Sequence, residues 1–301
     1  MTFSSTTTVA AGTIAALLAT SGCIDIAGAD LGKYVEREEK HFVVAGKPDI
    51  SLTTFSGSIE IRPWDKPEVN VVIEKRGYDK QAIEAIEVKA EASGNRVEIR
   101  VTAPKTAGGF GFHLGDSRSA KLIVSVPASA DLKASSGDGS IDIARVAGTL
   151  ELRSGDGSIH GTGLDGTVTA HTGDGSIKLD GVTGSLNVDT GDGSITVAGA
   201  LTEVKARSGD GSVTIRAGSG SAAKSDWDIN TGDGSVTVTL PEGFGGELDA
   251  RSGDGSVRMT DITLSNVTGE IGKRSVTGTL GSGGARVRIR TGDGSITLKR
   301  S

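Results

Sequence analysis

Aspartate residues that recur at a regular spacing are the groups in this 301-residue sequence with the clearest capacity for chemistry. The motif Gly-Asp-Gly-Ser, followed by Ile or Val, occurs eight times, and its first five copies are 18 residues apart. Carboxylates held side by side offer the oxygen ligands that calcium prefers. The motif therefore allows a cation-binding ladder formed by Asp138, Asp156, Asp174, Asp192, Asp210, Asp233, Asp254 and Asp293.

An aspartate between two glycines is also typical of a tight turn, because glycine reaches positive φ and Asp bonds its own backbone. Calcium-binding β-helix repeats follow a different glycine- and aspartate-rich pattern. We therefore interpret these aspartates as turn residues, with calcium as the alternative, and predict no other metal or cofactor. Neighbouring carboxylates would repel, and the partners that could offset this are the glycine-flanked backbone N–H groups, the serine that ends each motif, and Arg153, Arg207, Arg251 and Arg290.

The elements that must position the motif alternate apolar and polar residues, which is the pattern of strands with one buried face. Two apolar columns recur with the 18-residue period: Ile141, Ile159, Ile177, Ile195, Val213 and Leu150, Val168, Leu186, Val204. Identical turns at a fixed period favour coils that stack like onto like. We predict an all-β fold, a flattened parallel β-solenoid of about 18-residue coils. A β-sandwich of hairpins, which could use the same turns, is the alternative.

The repeat divides the chain into four segments. We predict a signal peptide at 1–23, a tether at 24–40, an irregular β-rich N-terminal cap with a degenerate repeat at 41–135, and solenoid repeats at 136–301. A cap is expected because a stack of coils has a raw edge that must be covered. At the other end, the strand of the last copy, 296–300, is expected to close the stack.

The N-terminal segment indicates export. Its apolar run, 9–19, is shorter than a membrane span and typical of a signal peptide. Small residues before Cys23, the only cysteine, resemble a bacterial lipobox, although no basic residue precedes the run and Thr20 stands where Leu is usual. We predict a lipid anchor on Cys23 that attaches the protein to a membrane, with an ordinary secretory signal as the alternative.

A glycine-rich stretch within 104–118 carries Phe110, Phe112 and His113. Exposed aromatic side chains on such a loop could contact a partner. A loop that folds back on its own domain is the alternative interpretation.

The remaining residues give no sign of catalysis. The four histidines have no zinc-type spacing, and no single copy of the repeated Ser and Asp has a distinguishing general base. The net charge of −6 and the pI near 5.4 argue against nucleic-acid binding. We predict that the protein is not an enzyme.

Three groups of residues resemble the bacterial putative-adhesin family, a domain of unknown function with β-strand repeats. They are the segment 55–61 followed by Trp64 and Asp65, the serial Gly-Asp-Gly-Ser copies, and the closing stretch 281–296. The resemblance covers roughly residues 41–301 and implies an exported or membrane-tethered envelope protein. It implies no catalytic or ligand-binding residue.

Together these features predict a non-catalytic binding, adhesion or spacer module of the cell envelope, at the outer membrane or in the periplasm. Its ligand is an unspecified protein or glycan. A self-assembling, bactofilin-like scaffold is the alternative, so the sequence leaves a monomer and end-to-end association both open. A polysaccharide-active enzyme is the third hypothesis.

Overall fold

The computed structural model of the protein describes residues 34–104 and 118–301. Strands dominate these residues and confirm the predicted all-β class. The strands are β1 Tyr34–Val43, β2 Asp49–Thr54, β3 Ile59–Trp64, β4 Glu68–Gly77, β5 Glu87–Ser93, β6 Arg96–Thr102, β7 Ser119–Pro127, β8 Asp131–Ser136, β9 Ile141–Ala144, β10 Ala147–Ser154, β11 Ile159–Thr162, β12 Asp165–Thr172, β13 Ile177–Thr190, β14 Ile195–Ser208, β15 Val213–Ala217, β16 Trp227–Thr231, β17 Val236–Leu240, β18 Gly246–Ser252, β19 Val257–Thr260, β20 Leu264–Gly269, β21 Ser275–Leu280, β22 Arg286–Thr291 and β23 Ile296–Arg300. One helix, α1 Lys80–Glu84, begins after Asp79, whose carboxylate accepts a hydrogen bond from the Ala82 N–H at 2.7 Å.

Strands of the repeat pair in parallel with their counterparts one period away. Leu150 of β10 lies opposite Val168 of β12, and Val168 lies opposite Leu186 of β13. Ile159 of β11 likewise lies between Ile141 and Ile177. The apolar residues of successive copies therefore pair with each other, as predicted. A shift of the register by one residue would turn every apolar side chain outward.

The pairings arrange the strands in two rows. The first row runs β1, β4, β7, β3, β9, β11, β13, β14, β15, β17, β23, β19. The second row runs β5, β6, β2, β8, β10, β12, β13, β14, β16, β22, β18, β21, β20. Alternate residues of both rows are buried and form one mainly aliphatic core. Trp227 and Phe244, both buried, meet edge to face within it, with ring centroids 5.0 Å apart.

The predicted tether extends too far toward the C-terminus. Residues 34–40 belong to β1, which pairs antiparallel with β4. Charged residues of β1 and β4 form ion pairs across the two strands, Lys75 with Glu36 and Glu38, and Arg37 with Glu74. A charged edge strand is a common protection against unwanted strand pairing.

The last strand does not close the stack, contrary to the prediction. β23 lies between β17 and β19, and β22, the preceding strand of the same copy, lies between β16 and β18. The other end has the same arrangement, because β2 and β3 lie between the strands β6, β7 and the strands β8, β9. Copies with the same motif have equivalent strand edges, so the strands of the final copy can pair with earlier copies on both sides.

Candidate functional site: the turns and the outer strand faces

The eight aspartates of the repeat lie along one edge of the molecule, here called the aspartate edge. Each turn hydrogen-bonds to the next through its backbone, as in the bonds from Gly173 N–H to the Gly155 carbonyl at 2.6 Å and from Gly292 N–H to the Gly232 carbonyl at 2.7 Å. Asp293 therefore lies between Asp233 and Asp254. All eight side chains are exposed.

A buried column of hydroxyl groups supports this edge from inside, and the sequence interpretation missed it. The residue before each motif is a buried serine or threonine: Ser136, Ser154, Thr172, Thr190, Ser208, Thr231, Ser252 and Thr291. Thr190 is representative, because its hydroxyl donates to the Gly175 carbonyl at 2.8 Å and accepts from the Gly193 N–H at 3.3 Å. The signal was available as Ser or Thr at every period, although these residues usually mark exposed turns.

The residues proposed to offset the aspartate charges form bonds with other groups instead. The Oγ of Ser158 accepts the Ser176 N–H at 3.2 Å. Arg153 bonds Glu151 at 2.7 Å, and the other three predicted arginines pair with Asp228 or Asp249. In the described part of the chain, the edge has one ion pair, between Asp254 and Arg274 at 3.3 Å. Exposure to water explains how the edge is tolerated, since solvated charges about 4.8 Å apart repel by only about 0.9 kcal/mol.

Carboxylates on successive turns do not converge. Among residues 34–104 and 118–301, no group of three or more His, Cys, Asp or Glu side chains is arranged to hold a metal ion. His160 lies near Asp142 in the first row, and His171 near Asp189 in the second, both with exposed rings. Calcium binding at the aspartate edge stays the alternative to the turn interpretation.

Several charged side chains on the outer face of the second row form ion pairs with each other. Glu151 lies between Lys133 and Arg153, at 3.3 and 2.7 Å. The Arg153 hydrogen bond, assisted by Lys133, lowers the pKa of Glu151 against the opposing effect of burial. Asp249 likewise bonds Arg251 at 2.8 Å and Arg290 at 3.1 Å.

Toward the C-terminal copies, the outer face of the first row carries threonines and cations in place of the ion pairs seen on the second row. Four threonines lie in register on neighbouring strands, namely Thr196, Thr214, Thr237 and Thr297. The exposed cations Arg216, Arg258 and Lys299 lie on the same face. We call this surface, on β14, β15, β17, β23 and β19, the threonine face.

Residues 48–299 match the family model described as Toastrack DUF4097. The chain belongs to this family. The match covers the repeats and most of the predicted cap, and it confirms the resemblance seen in the sequence. A search of curated proteins returned no match.

Several solved structures are similar to this chain at low sequence identity. A putative cell adhesion protein from Clostridium sporogenes is 17% identical over 88% of this chain and 100% of its own, with a TM-score of 0.30. A putative adhesin from Bacteroides fragilis is 12% identical over 88% and 97%, with a TM-score of 0.41. A putative lipid binding protein from Parabacteroides distasonis is 14% identical over 87% and 96%, with a TM-score of 0.29.

Two predicted sites lie outside the described residues. They are the lipidation site, Cys23, and the partner loop with Phe110, Phe112 and His113. Within the described ranges, no helix has the length and apolar character needed to cross a membrane.

Proposed function

We propose that this Toastrack protein is an exported, non-catalytic binding module of the bacterial cell envelope, or a spacer within it, attached to the membrane by a lipid on Cys23. In this proposal the two rows of strands wind as a flattened parallel β-solenoid, as the sequence predicted. The observation that carries the proposal is the in-register stacking of strands, which gives long polar outer faces over an aliphatic core. Such a stack holds its surface side chains at regular intervals and presents an extended binding surface.

The distribution of titratable groups favours binding over catalysis. A catalytic site needs an acid, a base or a nucleophile within hydrogen-bonding distance of one reacting atom. Here the carboxylates and cations of the described residues follow columns along the stack. Successive members of a column are about one strand spacing apart, roughly 4.8 Å, and the motif aspartate recurs in all eight copies.

The ends of the stack favour a discrete particle over the self-assembling scaffold. At one end β1 presents a run of charged residues, 36–40. At the other end the backbone around Lys273 covers β19, because the Lys273 carbonyl accepts the Val257 N–H at 2.8 Å and Gly272 donates to the Val257 carbonyl at 2.8 Å. We expect the full chain to elute at one mass over a wide concentration range. A mass that grows with concentration would favour the scaffold.

Protease treatment of intact cells tests the location of the protein. The full chain and its Cys23→Ala variant are expressed, the cells are treated with protease, and the membrane and soluble fractions are probed for the protein. We expect the parent to be membrane-bound and cleaved from outside, and the variant to be released from the membrane. Protection until the envelope is opened would exclude surface adhesion, and retention of the variant in the membrane would exclude the lipid anchor.

A further inference from the structure

The cations of the two outer faces differ in how they are partnered. On the second row Lys205 pairs with Glu203, Arg207 with Asp228, and Arg251 with Asp249. On the threonine face, Arg216, Arg258 and Lys299 have no carboxylate partner in the described part of the chain. The strands β14, β15, β17, β23 and β19 place no Asp or Glu on this face. The face is therefore a patch of net positive charge on a protein whose net charge is −6.

The register fixes the spacing of these cations. Arg216 and Lys299 both lie opposite Thr239 of the strand between them. They are thus two strand spacings apart, about 9.6 Å. Arg258 is on the next strand, opposite Thr297, and two residues along from the position of Lys299. This places it roughly 8 Å from Lys299. Thr239, between Arg216 and Lys299, is buried, and the half-buried threonines Thr214, Thr237 and Thr297 lie in a row two residues earlier along the same strands.

We propose that the threonine face binds a linear acidic polysaccharide, with the three cations contacting carboxylates of the polymer. A surface with cations beside a row of hydroxyl groups suits a chain of hydroxylated rings whose charges recur at intervals. Arginine and lysine form charge-assisted hydrogen bonds with carboxylates, and the hydroxyl groups of threonine both donate and accept.

Other polyanions fit the face less well. Single-stranded nucleic acids are bound through aromatic side chains on which the bases stack, and the described strands place no aromatic residue on this face. A lipid surface favours apolar side chains that enter the bilayer. The exposed large apolar residues of the described chain, Tyr34, Val35, Val43, Tyr78, Val267 and Ile271, belong to other elements.

The aspartate edge sets the position of the polymer on the face. Arg216 and Lys299 each follow the aspartate of their copy, Asp210 and Asp293, by six residues. These two cations therefore lie up to about 20 Å from the edge, toward the far ends of their strands. Because the edge repels an anionic chain, the polymer is held along the cation column, across the strands.

Binding of the purified full chain to immobilised polygalacturonate tests the proposal. The test variant carries Arg216→Gln, Arg258→Gln and Lys299→Gln. The control variant carries Lys205→Gln, Arg207→Gln and Arg251→Gln, which removes an equal number of positive charges from the second row. We expect the test variant to bind at least about fivefold more weakly, the control variant to bind like the parent, and binding of the parent to weaken as salt rises. Thermal melts of both variants check that each remains folded.

Equal losses in the two variants would overturn the proposal, because they would show that total charge and not this face determines binding. Failure of the parent to bind polygalacturonate, or tighter binding to phosphatidylglycerol vesicles than to the polymer, would also overturn it. The inference rests on the proposed binding function, since it names the ligand class. Protease treatment of cells tests location and the purified protein tests the ligand, so each can fail alone.

Discussion

Replacement of Thr190 by valine tests the buried hydroxyl column. Valine keeps the shape of the side chain but removes the hydroxyl group that bonds Gly175 and Gly193. A buried polar group left without a partner costs about 1–3 kcal/mol, and the weaker 3.3 Å bond places the second group at the low end. We expect Thr190→Val to lower the free energy of unfolding by about 2–4 kcal/mol.

The matched control is Thr190→Ser, which keeps the hydroxyl and removes one methyl group. We expect it to cost about 0.8 kcal/mol, and serine already occupies this position in copies such as Ser208. Urea unfolding followed by circular dichroism measures both variants, with the slope checked for constancy. Hydrogen exchange of the amides of β13 and β14 reports whether the loss is local. If Thr190→Val is as stable as Thr190→Ser, the hydroxyl column does not stabilise the stack.

Three further perturbations follow from the geometry. Gly193→Ala would place a Cβ 2.0 Å from the Gly175 carbonyl oxygen, so we expect a loss of about 3 kcal/mol in urea unfolding. Burial raises the pKa of Glu74, but the hydrogen bonds and charges of Arg37 and Arg76 outweigh it and hold the pKa below 4.5. The stability that this carboxylate contributes is present above its unfolded pKa and is lost as pH falls through the lower folded value, so we expect Glu74→Gln to flatten the acid side of a stability profile below pH 4.5. Because the aspartates of the edge do not converge, we expect the melting temperature to be the same in excess calcium and in chelator.

Each of these perturbations has a control. Gly218→Ala brings a Cβ no closer than 3.3 Å to its neighbour, and equal losses at both glycines would contradict close turn stacking. Glu84→Gln removes an exposed carboxylate of α1. If it flattens the acid profile as much as Glu74→Gln does, the paired Glu74 is not responsible. A calcium-dependent rise in melting temperature that Asp174→Asn abolishes would favour the cation ladder over the turn interpretation.

Sequence periodicity predicts the local structure of the repeat well. The columns headed by Ile141 and Leu150 are buried and paired in the predicted register. These features depend on alternation and turn chemistry within a few residues, which the sequence displays directly.

The order of the copies in space could not be predicted in this way. Copies that share a motif offer interchangeable edges, so local pattern does not tell whether the copy at Gly292 follows the one at Gly253 or lies before it. The choice depends on what covers the outer edge, here β21 and the residues near Lys273. The threonine face was missed for the same reason, because β23 brings Thr297 and Lys299 beside Thr237 and Thr239.

Retention of intact cells on a polygalacturonate-coated surface tests the central claim, that the protein is a surface-exposed binding module. Cells that express the full chain are compared with cells that express the Arg216, Arg258, Lys299 triple variant and the second-row control, at matched surface levels. The account predicts retention of the parent and control cells and loss of the triple-variant cells. Equal retention of all three, or export of the parent without any retention above that of cells lacking the protein, would contradict it.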